Sequence, residues 1–189
     1  HELCFLRPYQ VQAIKSVQEA VQQGKTRFLF EMATGTGKTS TAAAVIKLFF
    51  ASGNARRVLF LVDRLELESQ AEKAFKSMLR PDITTVVYKE HKESWQRADI
   101  VVTTIQSILN SYGTDFSPTD FDLIISDEAH RLISGEGANR TVFDYFVGYK
   151  LGLTATPKDY LKNLTSGDIA SKDPREIERR AQYSTYHTF

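Results

Sequence analysis

The sequence predicts an α/β fold, a mostly parallel sheet with helices on both faces. Three observations point to it. Short, nearly uninterrupted apolar runs recur along the chain, as in Val58-Leu59-Phe60-Leu61-Val62 and Ile100-Val101-Val102-Thr103. Strands buried on both faces read this way, whereas half-exposed strands alternate apolar and polar residues. Amphipathic stretches separate the runs, as parallel strands joined by crossover helices require. A glycine-rich turn, Gly35-Thr36-Gly37, joins the first run directly to a helical pattern.

The elements follow in order. Arg7-Pro8-Tyr9-Gln10 opens a helix, with Pro8 in its first turn, Val11, Ile14, Val17 and Val21 on one face, and Gly24 able to end it. Phe28 to Met32 reads as the first buried strand and Lys38 to Phe50 as the next helix. Val58 to Val62 is the second strand, followed by a helix from about Leu65 to Met78. Thr84–Tyr88, Ile100–Thr103, Phe121–Ser126 and Leu151–Thr154 supply the third to sixth strands. Beyond Pro157 apolar residues thin out and Lys, Asp, Ser and Arg dominate. Residues 1–157 therefore read as one lobe and 158–189 as a charged linker, within which Asp173-Pro174-Arg175-Glu176 could start a short helix.

Composition narrows the function. The 189 residues suit one domain with a short appendage. With 24 Lys+Arg against 23 Asp+Glu, a net charge of +1 excludes nucleic-acid binding by bulk positive charge but allows a local basic strip. The single cysteine, Cys4, can form neither an internal disulfide nor a metal cluster, as expected of a protein in a reducing, cytoplasmic compartment. No run approaches the roughly 18 apolar residues of a membrane span, and no signal peptide is visible. A chain opening on His1 reads as a piece of a longer protein.

Two motifs carry the chemistry. Met32-Ala33-Thr34-Gly35-Thr36-Gly37-Lys38-Thr39 lies between a strand and a helix. Its glycines let backbone N–H groups curl around phosphate oxygens, and the helix N-terminus adds positive dipole. Lys38 would reach the β- and γ-phosphates of a nucleotide, and the Thr39 hydroxyl would ligate Mg²⁺. The strict loop pattern begins with Gly, whereas this chain has Met32 there, so Gly35 supplies the flexibility. The second motif, Asp127-Glu128-Ala129-His130, follows a buried strand, which places it at the same sheet edge as the phosphate loop. Asp127 would hold Mg²⁺, and Glu128 would orient and deprotonate an attacking water.

Together with Thr154-Ala155-Thr156, these motifs resemble superfamily 2 (DEAH-box) helicases and translocases, over about Leu6 to Pro157 and in the family's order. Within it, Met32–Thr39, Leu61–Gln70 and Thr154–Asn163 look most like the motor subunit of type I restriction enzymes. The resemblance implies the first RecA-like lobe of an ATP-driven double-stranded DNA translocase, a three-layer sandwich, with ATP and Mg²⁺ as cofactors. It implies that Gln10 recognises adenine and that Arg7, Thr34, Gly35, Thr36, Gly37, Lys38, Thr39 and Ser40 complete the nucleotide site. Lys38 and Glu128 would be catalytic, Thr39 and Asp127 would hold the metal, and His130, Thr154 and Thr156 would couple hydrolysis to movement. Arg64, Thr103 and Thr104 would touch the DNA backbone, positioning the protein without reading sequence. Implied partners are a second RecA-like lobe and a nuclease domain of the same full-length chain, the methylation and specificity subunits of a restriction complex, and no membrane. The second lobe's arginine fingers, which account for roughly 10³–10⁵ in rate, have no counterpart in this sequence, so weak binding and poor hydrolysis are expected of this piece alone.

Other readings compete with this one. Pro81-Asp82 and Glu90-His91-Lys92 imitate a nuclease signature, but they flank one short strand and would lie roughly 20 Å apart if it is extended. Solvated turns account for them better. Arg56 and Arg57 precede the second strand, away from the functional edge, and read as solvated charges. A generic helicase lobe, or a nucleotide-dependent binding module without turnover, would also use the phosphate loop. Glu128 argues against the module, which needs no second carboxylate.

Overall fold

In the computed structural model, residues 6–33, 35–129, 138–155 and 186–188 are described. The strands are β1 Arg27–Glu31, β2 Val58–Val62, β3 Thr85–Val87, β4 Ile100–Thr104, β5 Leu123–Asp127, β6 Tyr149–Thr154 and β7 Tyr186–Thr188. The helices are α1 Pro8–Gln22, α2 Lys38–Ala51, α3 Leu65–Met78, α4 Ile105–Leu109 and α5 Ala138–Tyr145. The strands form one sheet in the order β3-β4-β2-β5-β6-β1-β7, and every pairing is parallel. The expected α/β class is what the chain adopts.

Two cores flank the sheet. On one face α1, α2 and α3 pack alanines and aliphatic residues over Phe28, Phe30, Phe60 and Val102. Helix α2 is apolar almost all round, with Ala42 to Ile46 buried, as befits a helix covered on more than one side. Helix α1 buries Ala13, Ile14, Val17 and Ala20, while Val11 and Val21 are half-buried. The buried stripe is thus turned from the Val-rich face that periodicity suggests toward the small residues, which allow close approach of a neighbouring helix. The helix ends as expected, with Gly24 at φ 78° and Lys25 N–H donating to Ala20 O at 3.0 Å.

The second face is aromatic. Trp95 lies 4.5 Å from Phe116 and 5.8 Å from Phe121, ring centre to ring centre, and Phe146 lies 5.6 Å from Phe121. This core draws on α4, on α5 and on irregular chain between strands, elements that the sequence patterns do not announce. Here Arg57 departs from expectation. Its guanidinium sits 5.2 Å above Trp95 and 5.1 Å above Phe121 and donates to Ala98 O and Trp95 O, each at 3.4 Å. Burial pulls its pKa down, with Asp120 and Asp122 opposing. It is a packed cation, while Arg56 is exposed.

Two differences concern the ends of elements. Strand β3 stops at Val87 and the chain tightens into a 3₁₀ turn at Tyr88–Glu90. The stretch expected as a linker returns three residues to the sheet, where β7 pairs with β1 through Leu29–Tyr186, Phe30–His187 and Glu31–Thr188. The helix expected after Asp173 lies outside the described residues.

Candidate nucleotide site at the C-terminal edge of the sheet

The site is built where β1, β5 and β6 end. Strand β1 delivers the chain into the glycine turn, where Thr36 N–H donates to Ala33 O at 3.2 Å and the Thr36 hydroxyl to the same carbonyl at 2.6 Å. Gly35 and Gly37 have φ of 79° and 87°, in the left-handed region that L side chains disfavour. Gly37 is also the N-cap of α2, so Lys38, Thr39 and Ser40 form the first turn of that helix, where backbone N–H groups have no intrahelical partner. Thr34 lies outside the described residues.

The acidic turn meets this loop. Lys38 Nζ donates to Glu128 Oε1 at 2.6 Å, joining side chains far apart in the sequence. Glu128 itself sits at φ 54°, a conformation that costs a non-glycine residue about 1–3 kcal/mol and clusters at functional sites. Two bonds hold it there: Glu128 N–H donates to Asp127 Oδ1 at 3.0 Å, and Ala129 N–H donates to Leu153 O at 2.8 Å. Gly152 makes room for the turn, since a Cβ there would lie 2.7 Å from Ala129 Cβ and 2.9 Å from Leu29 Cδ1. Burial raises the Asp127 pKa, Lys38 lowers it, and Glu128 and Asp63 raise it further. Such a desolvated carboxyl in a cluster of like charge is suited to hold a cation.

Helix α1 closes the other side. Gln10 is buried, 2% exposed, and its Nε2 lies 3.3 Å from Thr36 O, 3.1 Å from Gly37 O and 3.0 Å from Thr41 Oγ1. Two of these partners are carbonyls, so the amide nitrogen must face them. Its Oε1 accepts from Arg7 N at 2.8 Å. In this arrangement Gln10 braces the phosphate loop. Tyr9, which the sequence reading passes over, does the same, donating its hydroxyl to Thr36 O at 2.8 Å. Arg7 is exposed, with Nη1 3.4 Å from the Tyr9 hydroxyl.

The residues expected to touch DNA divide. Arg64 is an exposed side chain, 73% accessible, in a loose 3.6 Å pair with Asp63. Thr103 and Thr104 are buried, at 0% and 4%. The Thr103 hydroxyl is enclosed without a hydrogen-bond partner among the described residues. Thr104 is the N-cap of α4, its hydroxyl accepting from Ser107 N at 3.2 Å. Strand β4 runs on to Thr104 and α4 starts at the next residue, which encloses both side chains. Thr104 N–H in turn donates to the buried Glu68 at 3.1 Å, tying α3 to α4. Burial raises the Glu68 pKa and the Thr104 hydrogen bond lowers it. Nothing in the amphipathic pattern of α3 singles Glu68 out. Thr154 is buried at the end of β6, and its carbonyl accepts from Met32 N at 2.7 Å. His130 and Thr156 lie outside the described residues. Asp82 is exposed and forked onto Arg80 at 2.9 and 2.5 Å, and Glu90 to Lys92 are exposed beyond the other end of β3.

Residues 3–159, which include the phosphate loop and the acidic turn, match the family described as "Type III restriction enzyme, res subunit". The chain belongs to that family. Among relatives of this restriction-subunit family, an Escherichia coli protein named "Type I restriction enzyme EcoAI endonuclease subunit" is 38% identical over 160 residues, covering 81% of this chain and 19% of that protein. A fragment assigned to the HsdR subunit of a type I restriction enzyme from Vibrio vulnificus YJ016 superposes with a TM-score of 0.64 at 28% identity, covering 96% of this chain and 30% of that one. The Sulfolobus solfataricus SWI2/SNF2 ATPase core, solved with double-stranded DNA, shares the fold at a TM-score of 0.72 and 19% identity, covering 97% of this chain and 44% of that one. The chain thus spans about a fifth of its restriction-subunit relative. No helix among its described residues is long and apolar enough to cross a membrane.

Proposed function

We propose that this chain is the ATP-binding first lobe of an ATP-dependent double-stranded DNA translocase, within the motor subunit of a type I restriction enzyme acting in the bacterial or archaeal cytoplasm. The observation that carries the reading is the 2.6 Å contact between Lys38 and Glu128. It joins the phosphate-binding cation to the candidate base at the ends of β1 and β5.

The donor set fits Mg²⁺. Mg²⁺ takes one or two carboxylates and completes its octahedron with water and substrate phosphates. The desolvated Asp127, with Thr39 in the first turn of α2, is a set of that size. Among the described residues no cluster of three or more His, Cys, Asp or Glu offers an all-protein metal cage. When bound, the metal would neutralise charge on the β- and γ-phosphates.

The chain's own residues would then act in turn. The phosphate loop and the α2 N-terminus bind the phosphates through backbone N–H groups. A γ-phosphate taking Lys38 parts it from Glu128. The freed carboxylate orients a water and accepts its proton as the water attacks the γ-phosphorus and the bond to the β,γ-bridging oxygen breaks, releasing ADP and phosphate. Gln10 would recognise adenine and Arg7 would contact the nucleotide, while Thr154, with His130 and Thr156, would link the site to a second lobe. Arg64, at the N-terminus of α3, would grip a DNA phosphate, and the hydrogen bond from Thr104 to Glu68 ties α3 to α4. Sequence choice falls to the specificity subunit, methylation to its partner and cleavage to a nuclease domain elsewhere in the full-length chain.

Binding of ATP to the wild type and to Lys38→Ala tests the site. A loss of tenfold or more is expected, since charge-assisted contacts are the strong ones, and equal affinity rules the site out. Hydrolysis by this chain alone is expected to be poor, because the arginine fingers belong to the second lobe. Robust DNA-stimulated turnover by the chain would show that the site is complete within it.

A further inference from the structure

We infer that Tyr9 is a positioning residue for the phosphates, locking the Thr36–Gly37 peptide so that its N–H faces the ligand. The inference rests on the nucleotide reading above and concerns a residue to which that reading gives no role.

The geometry is specific. The Thr36 carbonyl accepts from Tyr9 Oη at 2.8 Å and from Gln10 Nε2 at 3.3 Å. Both donors come from the first turn of α1, so that carbonyl is held toward the helix. A trans peptide is planar, and the N–H of residue 37 therefore points the opposite way from the carbonyl of residue 36. Holding the oxygen against α1 turns the Gly37 N–H away from α1.

The lock is needed because Gly37 is permissive. At φ 87° it has no Cβ to oppose a flip of the preceding peptide, and a flip would present a carbonyl oxygen to a phosphate. The Gly37 carbonyl is fixed separately, accepting from Thr41 N at 2.9 Å and from Gln10 Nε2 at 3.1 Å. Of these two carbonyl oxygens, that of Thr36 accepts from Tyr9. The phenol is half-buried, which shields its bond from competing water. The Arg7 guanidinium donates to the phenol oxygen of Tyr9 at 3.4 Å and favours the phenol proton pointing at Thr36.

The role differs from contact with the base. A loop brace affects every ligand that carries phosphates, whereas a base contact affects only nucleotides. The structure also supplies a matched control. Tyr145 donates its hydroxyl to a backbone carbonyl, Phe116 O, at the same 2.8 Å, in the aromatic core away from the phosphate loop.

The experiment measures displacement of a fluorescent ATP analogue by Mg·ATP and by magnesium tripolyphosphate, for the wild type, Tyr9→Phe, Tyr145→Phe and Lys38→Ala. Urea unfolding of each variant confirms that it is folded. Tyr9→Phe is expected to weaken both ligands by the same factor, about fivefold for one lost hydrogen bond. Tyr145→Phe is expected to lower the unfolding midpoint comparably and to leave both affinities unchanged. A loss confined to ATP, no loss at all, an equal loss in Tyr145→Phe, or no displacement by tripolyphosphate from the wild type would each overturn the inference. If wild type and Lys38→Ala bind both ligands alike, the nucleotide reading itself fails, a result separate from any outcome at Tyr9.

Discussion

Two lysines sit at opposite ends of the sheet, and their partners differ in kind. Lys38, at the C-terminal edge, is 10% exposed and lies against the Glu128 carboxylate. Lys150, at the start of β6, is 4% exposed and donates to two backbone carbonyls, Phe146 O at 2.7 Å and Gly148 O at 3.2 Å. Burial, with Arg27 nearby, pulls the Lys150 pKa down to about 8. A lysine paired with one side chain can exchange that partner for a phosphate. A lysine enclosed by the backbone of its own chain cannot leave without unsatisfying those carbonyls. The same residue type is thus a working part at one end and a structural post at the other.

Breaking the working end is expected to have the largest effect. Glu128→Gln keeps the shape of the pair but removes the base, and should slow single-turnover ATP hydrolysis by the full-length protein by roughly 10²–10⁴-fold while ATP still binds. An unchanged rate would move the base elsewhere.

The structural end should respond to pH. Lys150 has a folded pKa of about 8 against an ordinary 10.5, so between these values the unfolded chain binds more protons and stability rises with pH. The slope is at most about 1.4 kcal/mol per pH unit, flattening below pH 8 where both states are charged. Lys150→Met should abolish this rise in urea unfolding between pH 8 and 9.5 and leave ATP affinity unchanged. A rise that persists in the variant would assign it to another group.

Gly152 links the two ends by way of β6. Gly152→Ala places a Cβ against Ala129 and Leu29 and should cost about 1–3 kcal/mol of stability by overpacking. It should also weaken hydrolysis by displacing Glu128 from Lys38. Loss of stability with unchanged hydrolysis by the full-length protein would show that the acidic turn tolerates the shift.

The smallest effect is expected at Asp82. Its exposed fork onto Arg80 holds its carboxyl below the usual range, but such surface pairs contribute little. Asp82→Ala should leave unfolding, hydrolysis and DNA cleavage by the full-length protein unchanged. Loss of cleavage would revive the nuclease signature around β3.

Much of the first face was legible. Helix α3 begins and ends at Leu65 and Met78 as its amphipathic pattern indicates, and α2 starts at Lys38 because two glycines must precede it. The aromatic face was not. Helix α4 has only five residues, too few to show a period, and Arg57 reads as a solvated charge until Trp95 and Phe121 close over it. The burial of Thr103 and Thr104 was not legible either. Thr103 and Thr104 sit where strand ends meet solvent in many sheets, and only the fold of α4 over β4 covers them.

The sequence by itself determined the strand order of chemistry along the chain: a phosphate loop after the first strand, paired carboxylates after the fifth, and an apolar pattern that commits those strands to a buried parallel sheet. These are local facts, set by backbone freedom at glycine and by the periods of strands and helices. Tertiary structure alone decided which polar groups meet. It put Lys38 on Glu128, turned Gln10 and Tyr9 onto the Thr36 carbonyl, and gave Lys150 carbonyls in place of a carboxylate. Hydrogen bonds and ion pairs act over a few ångströms in space, and separation along the chain says nothing about that distance until the sheet has brought its edges together.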